Sequence, residues 1–586
     1  MSDPQAQLAA YLAARKSQPP PASQILPRPA AAPLVLSFTQ ERFWFLNQLE
    51  PGNPAYNRPL GLRLRGPLDA AALDAAIHAL VQRHAIFRTI FPAGGTPAVH
   101  VIPQLIVPLE RLDAPSLPAA ERLAADLTHR PFSLEHGPLV RASLIKLAEQ
   151  DHLLLLVMHH VLCDGWSAPL IVNELAAHYR GDAPPAPALQ YADFASWQRG
   201  LAEQGKWAAD LAYWQGKLAG DLRPLELPAD HPRPSVPAHL GGDLYFELPP
   251  PTLDALRTLA RQENATLFHV LLAIFNILLY RNTGQPDLLV GCPVAGRGLP
   301  ELENLIGFVI NTLVYRTCVD GCAPFRALLG QVRRTALEAL DHQSLPFEEL
   351  LAQLKLDRTL RHAPLFQVMF NFENVPAREP DFGGLACAPF PFDSGQAIYD
   401  LSFEIVEREG GLSCWMKYSR DLFDPPTGGR FAKEFITLAE SICSQTDIPI
   451  ALLPFIPPLE RKALLEEWHR APENPPPDLI TDAFAAQAAA TPDRPALMMG
   501  ARQLTYRELD ARANQLAHFL LARPPARNPR GRIGPPRPGS LYRHARHLQG
   551  WGRLPPAQPG APARPPGLDD AQCRGWVAPH ASLLCR

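Results

Sequence analysis

The chain is predicted to fold as an α/β protein with mixed sheets, arranged in two lobes. Short apolar runs such as Leu153–Val157 and Leu288–Val290 have the length and composition of buried strands. Amphipathic segments of helical length, such as Leu68–His84 and Leu170–Tyr179, alternate with these runs. A proline-rich segment at Leu225–Pro237 separates two regions of this kind, so we expect the lobe boundary there.

Composition restricts the class of protein. The 55 basic and 58 acidic residues nearly balance, which argues against a nucleic-acid partner. The N-terminus lacks the apolar core of a signal peptide, and the longest apolar segment, Leu267–Tyr280, is too short to span a bilayer. The nine cysteines show no metal-ligand spacing. We therefore expect a cytoplasmic protein with reduced thiols, no metal and no membrane partner.

One loop concentrates reactive side chains. It reads Met158-His159-His160-Val161-Leu162-Cys163-Asp164-Gly165-Trp166-Ser167. A predicted strand precedes it, and Ser167 stands where the N-cap of the next helix is expected. Neighbouring residues on extended chain point to opposite sides, so His159 and His160 should face different environments. A zinc site from His159, His160 and Asp164 lacks a further ligand cluster nearby, and a serine hydrolase lacks its Gly-x-Ser-x-Gly elbow.

Several further segments surround this loop in a characteristic order. They are Ser37–Leu46, Arg83–Phe91, Tyr191–Gln198, Gly291–Arg297, Ile306–Leu313, His342–Glu348 and Pro364–Gln367. Together with the His-His-x-x-x-Asp-Gly pattern, they resemble the condensation domains of nonribosomal peptide synthetases over residues 34–455. The resemblance implies a pseudodimer of two chloramphenicol-acetyltransferase-like lobes, about 34–220 and 240–455. A tunnel is expected between the lobes, with the histidine loop midway along it.

The resemblance also implies a reaction, in which the amine of an acceptor attacks a donor thioester. His160 is then the amine-facing group, while His159 supports the loop. Asp164 is expected to pair with Arg297 and hold the loop, and the Gly165 N–H is placed to face the oxyanion. A lesser supporting role is expected for Arg88. Three further residues are expected to line the substrate tunnel, namely Trp166, Ser167 and Asn311.

The same resemblance predicts the partners. Donor and acceptor would arrive on the phosphopantetheine arms of peptidyl carrier proteins, and the domain itself would bind no cofactor. This chain holds no carrier segment of its own, so we expect carriers in trans and an upstream synthetase as a further partner. The sequences around Arg88-Thr89 and Ile306–Leu313 most resemble the subtype of condensation domain that joins an L-configured donor to an L-configured acceptor.

Other functions share parts of this pattern. An ester-forming or epimerising relative carries the same histidine motif, but an epimerisation domain would follow a carrier rather than precede an adenylation-like segment. A non-catalytic recruiting module, or a pseudogene fragment, is the alternative outside enzymes. Such modules usually have a degraded motif, whereas the motif here is intact.

The ends of the chain differ from its centre. Residues 1–33 predict a short helix, Gln5–Lys16, and a Pro/Ala linker. Residues 456–522, with Leu504–Leu509 as their clearest segment, resemble the start of an adenylation domain. Residues 523–586 carry 13 prolines and 11 arginines but no lysine, which predicts a disordered basic tail or the product of a reading-frame slip. We favour the frameshift, and re-reading the gene in its other frames would test it.

Overall fold

The structure is a computed structural model that describes residues 24–354, 362–373, 380–408, 411–467, 480–499 and 502–521. The chain divides into two compact units, Met1–Arg461 and Lys462–Arg586. The predicted helix Gln5–Lys16 and the tail 523–586 lie outside the described residues.

The first unit contains two large sheets, each with its own hydrophobic core, and a small sheet formed by Thr89–Ile90 and His100–Val101. Its strands are β1 (Asn57–Arg65), β2 (Thr89–Ile90), β3 (His100–Val101), β4 (Leu109–Asp113), β5 (Val140–Ala148), β6 (Asp151–His159), β7 (Gly241–Glu247), β8 (Asp287–Val294), β9 (Asn311–Cys318), β10 (Val368–Glu373), β11 (Ala386–Pro389), β12 (Leu401–Arg408) and β13 (Gly411–Ser419). Its helices are α1 (Phe38–Leu49), α2 (Ala70–Arg83), α3 (Leu117–His129), α4 (Ser167–Tyr179), α5 (Tyr191–Glu203), α6 (Ala208–Lys217), α7 (Pro250–Gln262), α8 (Leu267–Thr283), α9 (Phe325–Asp341), α10 (Phe347–Gln353) and α11 (Pro425–Ser444), with α12 (Pro458–Lys462) at its end. The predicted α/β class with mixed sheets is confirmed.

The first sheet has the strand order β11-β1-β6-β5-β4. Its central strand β6 pairs antiparallel with both β1 and β5, whereas β4 and β5 are parallel. The apolar run of β6 is buried throughout, from His152 to His159. A strand packed on both faces needs such a continuous apolar run, which is why the sequence identified it.

The second sheet has the order β7-β13-β12-β10-β8-β9. Its parallel strands β8, β10 and β12 form the centre, and antiparallel strands flank them. Helix α8 packs into this core and is buried from Leu267 to Leu279 except at Phe268. Thr266 caps its first turn, and Gly284 ends it in the left-handed conformation at φ 70°.

The predicted lobe boundaries need correction, because two segments of the second lobe join the first. Strand β11 pairs antiparallel with β1, with Leu62 opposite Pro389. Residues 302–309 also place apolar side chains in the core of the first lobe, including Leu305 and Val309. The predicted linker 24–33 packs on the same lobe, where Ile25 is 2% exposed. The lobes are therefore interlocked rather than consecutive along the chain.

The second unit contains a small two-stranded sheet between two helices. These elements are α13 (Ile480–Ala490), β14 (Pro495–Met499), β15 (Arg502–Thr505) and α14 (Tyr506–Leu521). The strands are antiparallel, and the Phe484 ring lies 5.9 Å from the Tyr506 ring.

Among the described residues, no single helix has the length and apolar content needed to cross a membrane. The bent pair Pro250–Gln262 and Leu267–Thr283 meets those two criteria jointly.

Candidate functional site

The two histidines stand where a central strand ends in the histidine loop, residues 159–166. Strand β6 ends at His159, a single 3₁₀ turn covers His160–Leu162, and helix α4 begins at Ser167. His159 is 4% exposed, and its Nδ1 accepts the Val161 N–H at 3.2 Å. The accepting nitrogen carries no proton, so neutral His159 is protonated on Nε2. This contact fixes the turn that presents the next residue.

His160 has the complementary tautomer. Its Nδ1 lies 2.8 Å from the Cys163 carbonyl oxygen, which only accepts hydrogen bonds, so Nδ1 carries the proton. Within the described part of the chain, Nε2 has no hydrogen-bond partner and keeps its lone pair. The Phe308 ring packs edge-on at 4.8 Å and the Phe43 ring lies at 6.0 Å. These rings hold the imidazole plane and limit its contact with water.

Both histidines are neutral near pH 7. Burial lowers the pKa of His160 well below its usual range, and the positive charge of Arg58 lowers it further. Burial and Arg58 together lower the pKa of His159 to about 3. A neutral His160 with a free Nε2 can accept a proton or a hydrogen bond from a substrate.

The buried carboxylate of Asp164 holds the histidine loop in place through hydrogen bonds. Its carboxylate accepts the Ser167 N–H at 2.8 Å and the backbone N–H groups of Val309 and Ile310 at 2.9 and 3.2 Å. Arg297 Nη2 lies 3.0 Å from Asp164 Oδ2, and both side chains are essentially inaccessible. This is the pair that the family resemblance implied. A carboxylate enclosed in this way contacts no substrate, so its function here is structural.

Arg297 connects the histidine loop to the crossing segment, residues 296–310. Its Nη1 donates to the carbonyl oxygens of Leu302 and Leu305, the latter at 2.8 Å. Two glycines make the close approach feasible. Gly296 has φ +66°, and a Cβ on Gly307 would lie 2.0 Å from the Tyr191 ring. The crossing segment thereby brings Phe308 to His160.

Gly165 lies at the junction of the two lobes. A Cβ at this position would stand 3.2 Å from Glu373 Oε1, at the end of β10. The residue is exposed, so its backbone is accessible where the two lobes meet.

Three residues expected to line the tunnel have other contacts. Ser167 is 0% exposed, and its hydroxyl lies 2.7 Å from Asp164 Oδ1, so it belongs to the buried network and is not the N-cap. The amide of Asn311 bonds the backbone of Gln343, Leu345 and Phe347, which fixes the start of α10. Trp166 Nε1 donates to the Glu303 carbonyl at 3.0 Å and anchors the crossing segment.

The expected support from Arg88 is wrong. Its guanidinium donates to the carbonyl oxygens of Val81, Gln82, Ile102 and Pro103. These bonds tie the end of α2 to the chain after β3. Within the described residues they include no bond to the histidine loop.

Sequence reasoning missed Phe43, Phe308, Arg58 and Glu373. The aromatic rings were indistinguishable from ordinary core residues. Arg58 is next to Asn57, whose register opposite His159 in β1 and β6 cannot be read from sequence. Glu373 approaches Gly165 only because the two lobes meet there.

Other chemistry at the loop is not supported. Burial, with Asp164 nearby, raises the pKa of the Cys163 thiol to about 12, so a thiolate nucleophile is disfavoured. No group of three His, Cys, Asp or Glu side chains is placed to hold a metal ion in the regions that the structure describes.

Comparisons with known proteins agree with this geometry. The family model for the condensation domain matches residues 31–465. A linear gramicidin synthase chain of Brevibacillus parabrevis is 41% identical over 523 residues, covering 86% of this chain and 7% of that protein. Phosphinothricin tripeptide synthetase PhsC of Streptomyces viridochromogenes is 40% identical over 506 residues, covering 84% of this chain and 46% of that protein. This chain thus spans less than half the length of either relative.

A solved structure shares the fold. The X-domain in its complex with OxyB from teicoplanin biosynthesis superposes with a TM-score of 0.67 at 26% identity, covering 75% of this chain and 99% of that one. The match to the family model over most of the chain establishes that the protein belongs to the condensation-domain family of nonribosomal peptide synthetases.

Proposed function

We propose that the first unit joins a carrier-bound acyl or peptidyl thioester to the amine of a carrier-bound aminoacyl acceptor. The observation that carries this proposal is the neutral His160, whose Nε2 has no hydrogen-bond partner among the described residues and whose tautomer is set by the Cys163 carbonyl. The relatives of this chain include a gramicidin synthase and a tripeptide synthetase, which supports a peptide as the product.

The chemistry asks for orientation more than for a strong base. An α-amino group has a pKa of about 8, so a useful fraction is neutral near pH 7, and a thioester is already activated. Holding two substrates in attack geometry contributes about 7–11 kcal/mol, and a general base adds about 10²–10⁴-fold.

In the proposed step, the acceptor nitrogen attacks the donor carbonyl carbon, forming the C–N bond and breaking the C–S bond. His160 Nε2 accepts the proton that the nitrogen loses. That proton then goes to the departing sulfur, which leaves as the thiol on the donor phosphopantetheine arm. The accessible backbone at Gly165, where the two lobes meet, is the candidate for contact with the oxyanion.

The test is a condensation assay with the full chain and two loaded carrier proteins, followed by intact mass. We expect product with the natural chain and a loss of about 10²-fold or more in His160→Ala. His136→Ala is the control, because His136 is exposed and lies outside the histidine loop. The proposal fails if no loaded pair gives product, or if His160→Ala matches the control.

A second candidate function is a recruiting module. It is favoured by the likeness to the X-domain, whose structure was solved as a complex with OxyB. The same assay separates the two, since a recruiting module forms no product with any pair.

We also propose that the second unit begins an adenylation domain. The alignment with the gramicidin synthase covers 86% of the chain, which is more than residues 31–465 account for. Resequencing the gene beyond the codon for residue 522 tests this together with the frameshift. An adenylation-like continuation in another frame supports both, and its absence from all frames contradicts them.

A further inference from the structure

One face of the second sheet carries charged residues, whereas the other carries the core. Along β10, β12 and β13, Phe370, Phe403 and Met416 are fully buried in the core. The alternate positions on β7, β10, β12 and β13 include the charged residues Asp243, Glu247, Glu373, Glu404 and Lys417.

This charged face meets the histidine loop. Glu373 Oε1 lies against Gly165, as described above. Arg58, from the first sheet, interacts electrostatically with His159, His160 and Glu404. Arg58 stands opposite Met158 in the register of β1 and β6, one position from the Asn57–His159 pair, so its charge lies near the end of β6 and close enough to the second sheet to act on Glu404.

Arg58 differs from Arg42 and Arg297 in having no hydrogen-bond or ion-pair partner among the described residues. Arg42 forms an ion pair with Glu348 at 3.6 Å, and Arg297 pairs with Asp164. Within the described ranges, Arg58 makes neither a hydrogen bond nor an ion pair, although it is half-buried. A charge held away from water without a partner is unfavourable, so this position suits a guanidinium that receives an anion from outside the chain.

The carboxylates of the facing wall do not fill this role. Lys417 and Asp243 pair with each other at 2.6 Å. Glu404 forms neither a hydrogen bond nor an ion pair with Arg58. Burial raises the pKa of its carboxyl group, and Lys417 and Arg58 oppose that rise. An incoming carboxylate would thus meet an unpaired guanidinium beside the catalytic imidazole.

We infer that Arg58 is a specificity-determining residue that binds a carboxylate carried by the donor or the acceptor close to the reacting carbon. The inference rests on the proposed function, because His160 marks where the reacting carbon lies. The phosphate of a phosphopantetheine arm is at the far end of the arm from that carbon, so the anion belongs to the acyl end. A guanidinium binds a carboxylate through two parallel hydrogen bonds, which a neutral amide cannot match. A fatty acyl chain would bury these charged groups without compensation and is disfavoured.

The test measures binding with the full chain, so it does not depend on turnover. Calorimetric titrations use pantetheine amides in place of thioesters, in two matched pairs. The acceptor pair carries L-aspartate or L-asparagine, and the donor pair carries a succinyl or a butyryl group. We expect the acidic member of one pair to bind at least about tenfold more tightly, as hydrogen bonds to charged groups typically allow.

The variants assign the effect to the guanidinium. In Arg58→Met, the ratio of the affinities for the acidic and the neutral member of the pair should fall close to one. Arg63→Met, on the same strand but paired with Asp151 at 2.8 Å, should keep it. Glu404→Gln should increase the preference, because a competing carboxylate is removed. This variant keeps the test informative if Arg58→Met does not fold.

The inference is overturned if both members of both pairs bind equally to the natural chain. It is equally overturned if the preference survives Arg58→Met, or if that variant weakens acidic and neutral members alike. Failure of the proposed reaction would appear differently, as an absence of product from every loaded carrier pair while the binding preference persists.

Discussion

Replacing Asp164 by Asn should destabilise the first unit by about 3–5 kcal/mol, as expected for removing one partner of a buried ion pair. The substitution keeps the shape of the side chain but leaves Arg297 charged and inaccessible to water, at 1% side-chain exposure. It also places an NH₂ group among donors, since Asp164 accepts the N–H groups of Ser167, Val309 and Ile310. No rearrangement of the amide satisfies all of these donors.

The assay is urea unfolding followed by far-ultraviolet circular dichroism, at constant pH. Asp164→Asn, Arg297→Met and the double variant form a cycle, and we expect a coupling energy of about 2–3 kcal/mol between neighbours that share a network. Asp151→Asn is the matched control. Its pair with Arg63 is partly exposed, at 24% and 22%, so its loss should cost about 1 kcal/mol or less. A cost below about 1 kcal/mol for Asp164→Asn, or additive single effects, would refute the structural role of this pair.

Three further predictions follow from buried groups. The pKa of His159 is about 3 in the folded state and 6.5 in the unfolded state, so the free energy of unfolding should decrease as pH drops below 6.5. His159→Gln should remove about 2 kcal/mol of that loss between pH 6.5 and 5, measured by urea titrations. Equal losses in the natural protein and the variant would contradict this prediction. Asn276 is 0% exposed, and its amide nitrogen and oxygen lack hydrogen-bond partners among the residues that the structure describes. Asn276→Leu should therefore raise the unfolding free energy by about 1–3 kcal/mol, whereas a clear destabilisation would show that the amide is satisfied. Gly307→Ala should lower both the melting temperature and the condensation rate, because the added methyl group meets the Tyr191 ring. Gly94→Ala is the control and should change neither, because the space around Gly94 is open. A Gly307→Ala variant that behaves like this control would contradict the prediction.

The sequence predicted the elements that depend on local pattern. The continuous apolar run of β6 identified a strand buried on both faces, and the loop after it followed from the change of pattern at His159. The Asp164–Arg297 pair came from the family resemblance, since the two residues are 133 positions apart. Periodicity alone contains no information on such a contact.

The interlocking of the lobes could not be predicted. Strand β11 is four residues long and pairs with β1 of the other lobe, a contact set by tertiary packing rather than by local preference. The same limit explains why the contacts of Ser167 and Asn311 were not foreseen. Both were expected to line the tunnel, and the chain uses both to satisfy backbone groups of the surrounding segments.

The account depends most directly on His160 presenting an unprotonated Nε2 at neutral pH. Nitrogen-15 NMR of side-chain-labelled histidine, with His160 assigned from the signal lost in His160→Gln, measures this. We expect a neutral ring protonated on Nδ1 at pH 7, with no titration until well below pH 6.5. A His160 signal that titrates near pH 6.5, or a ring protonated on Nε2, would contradict the account.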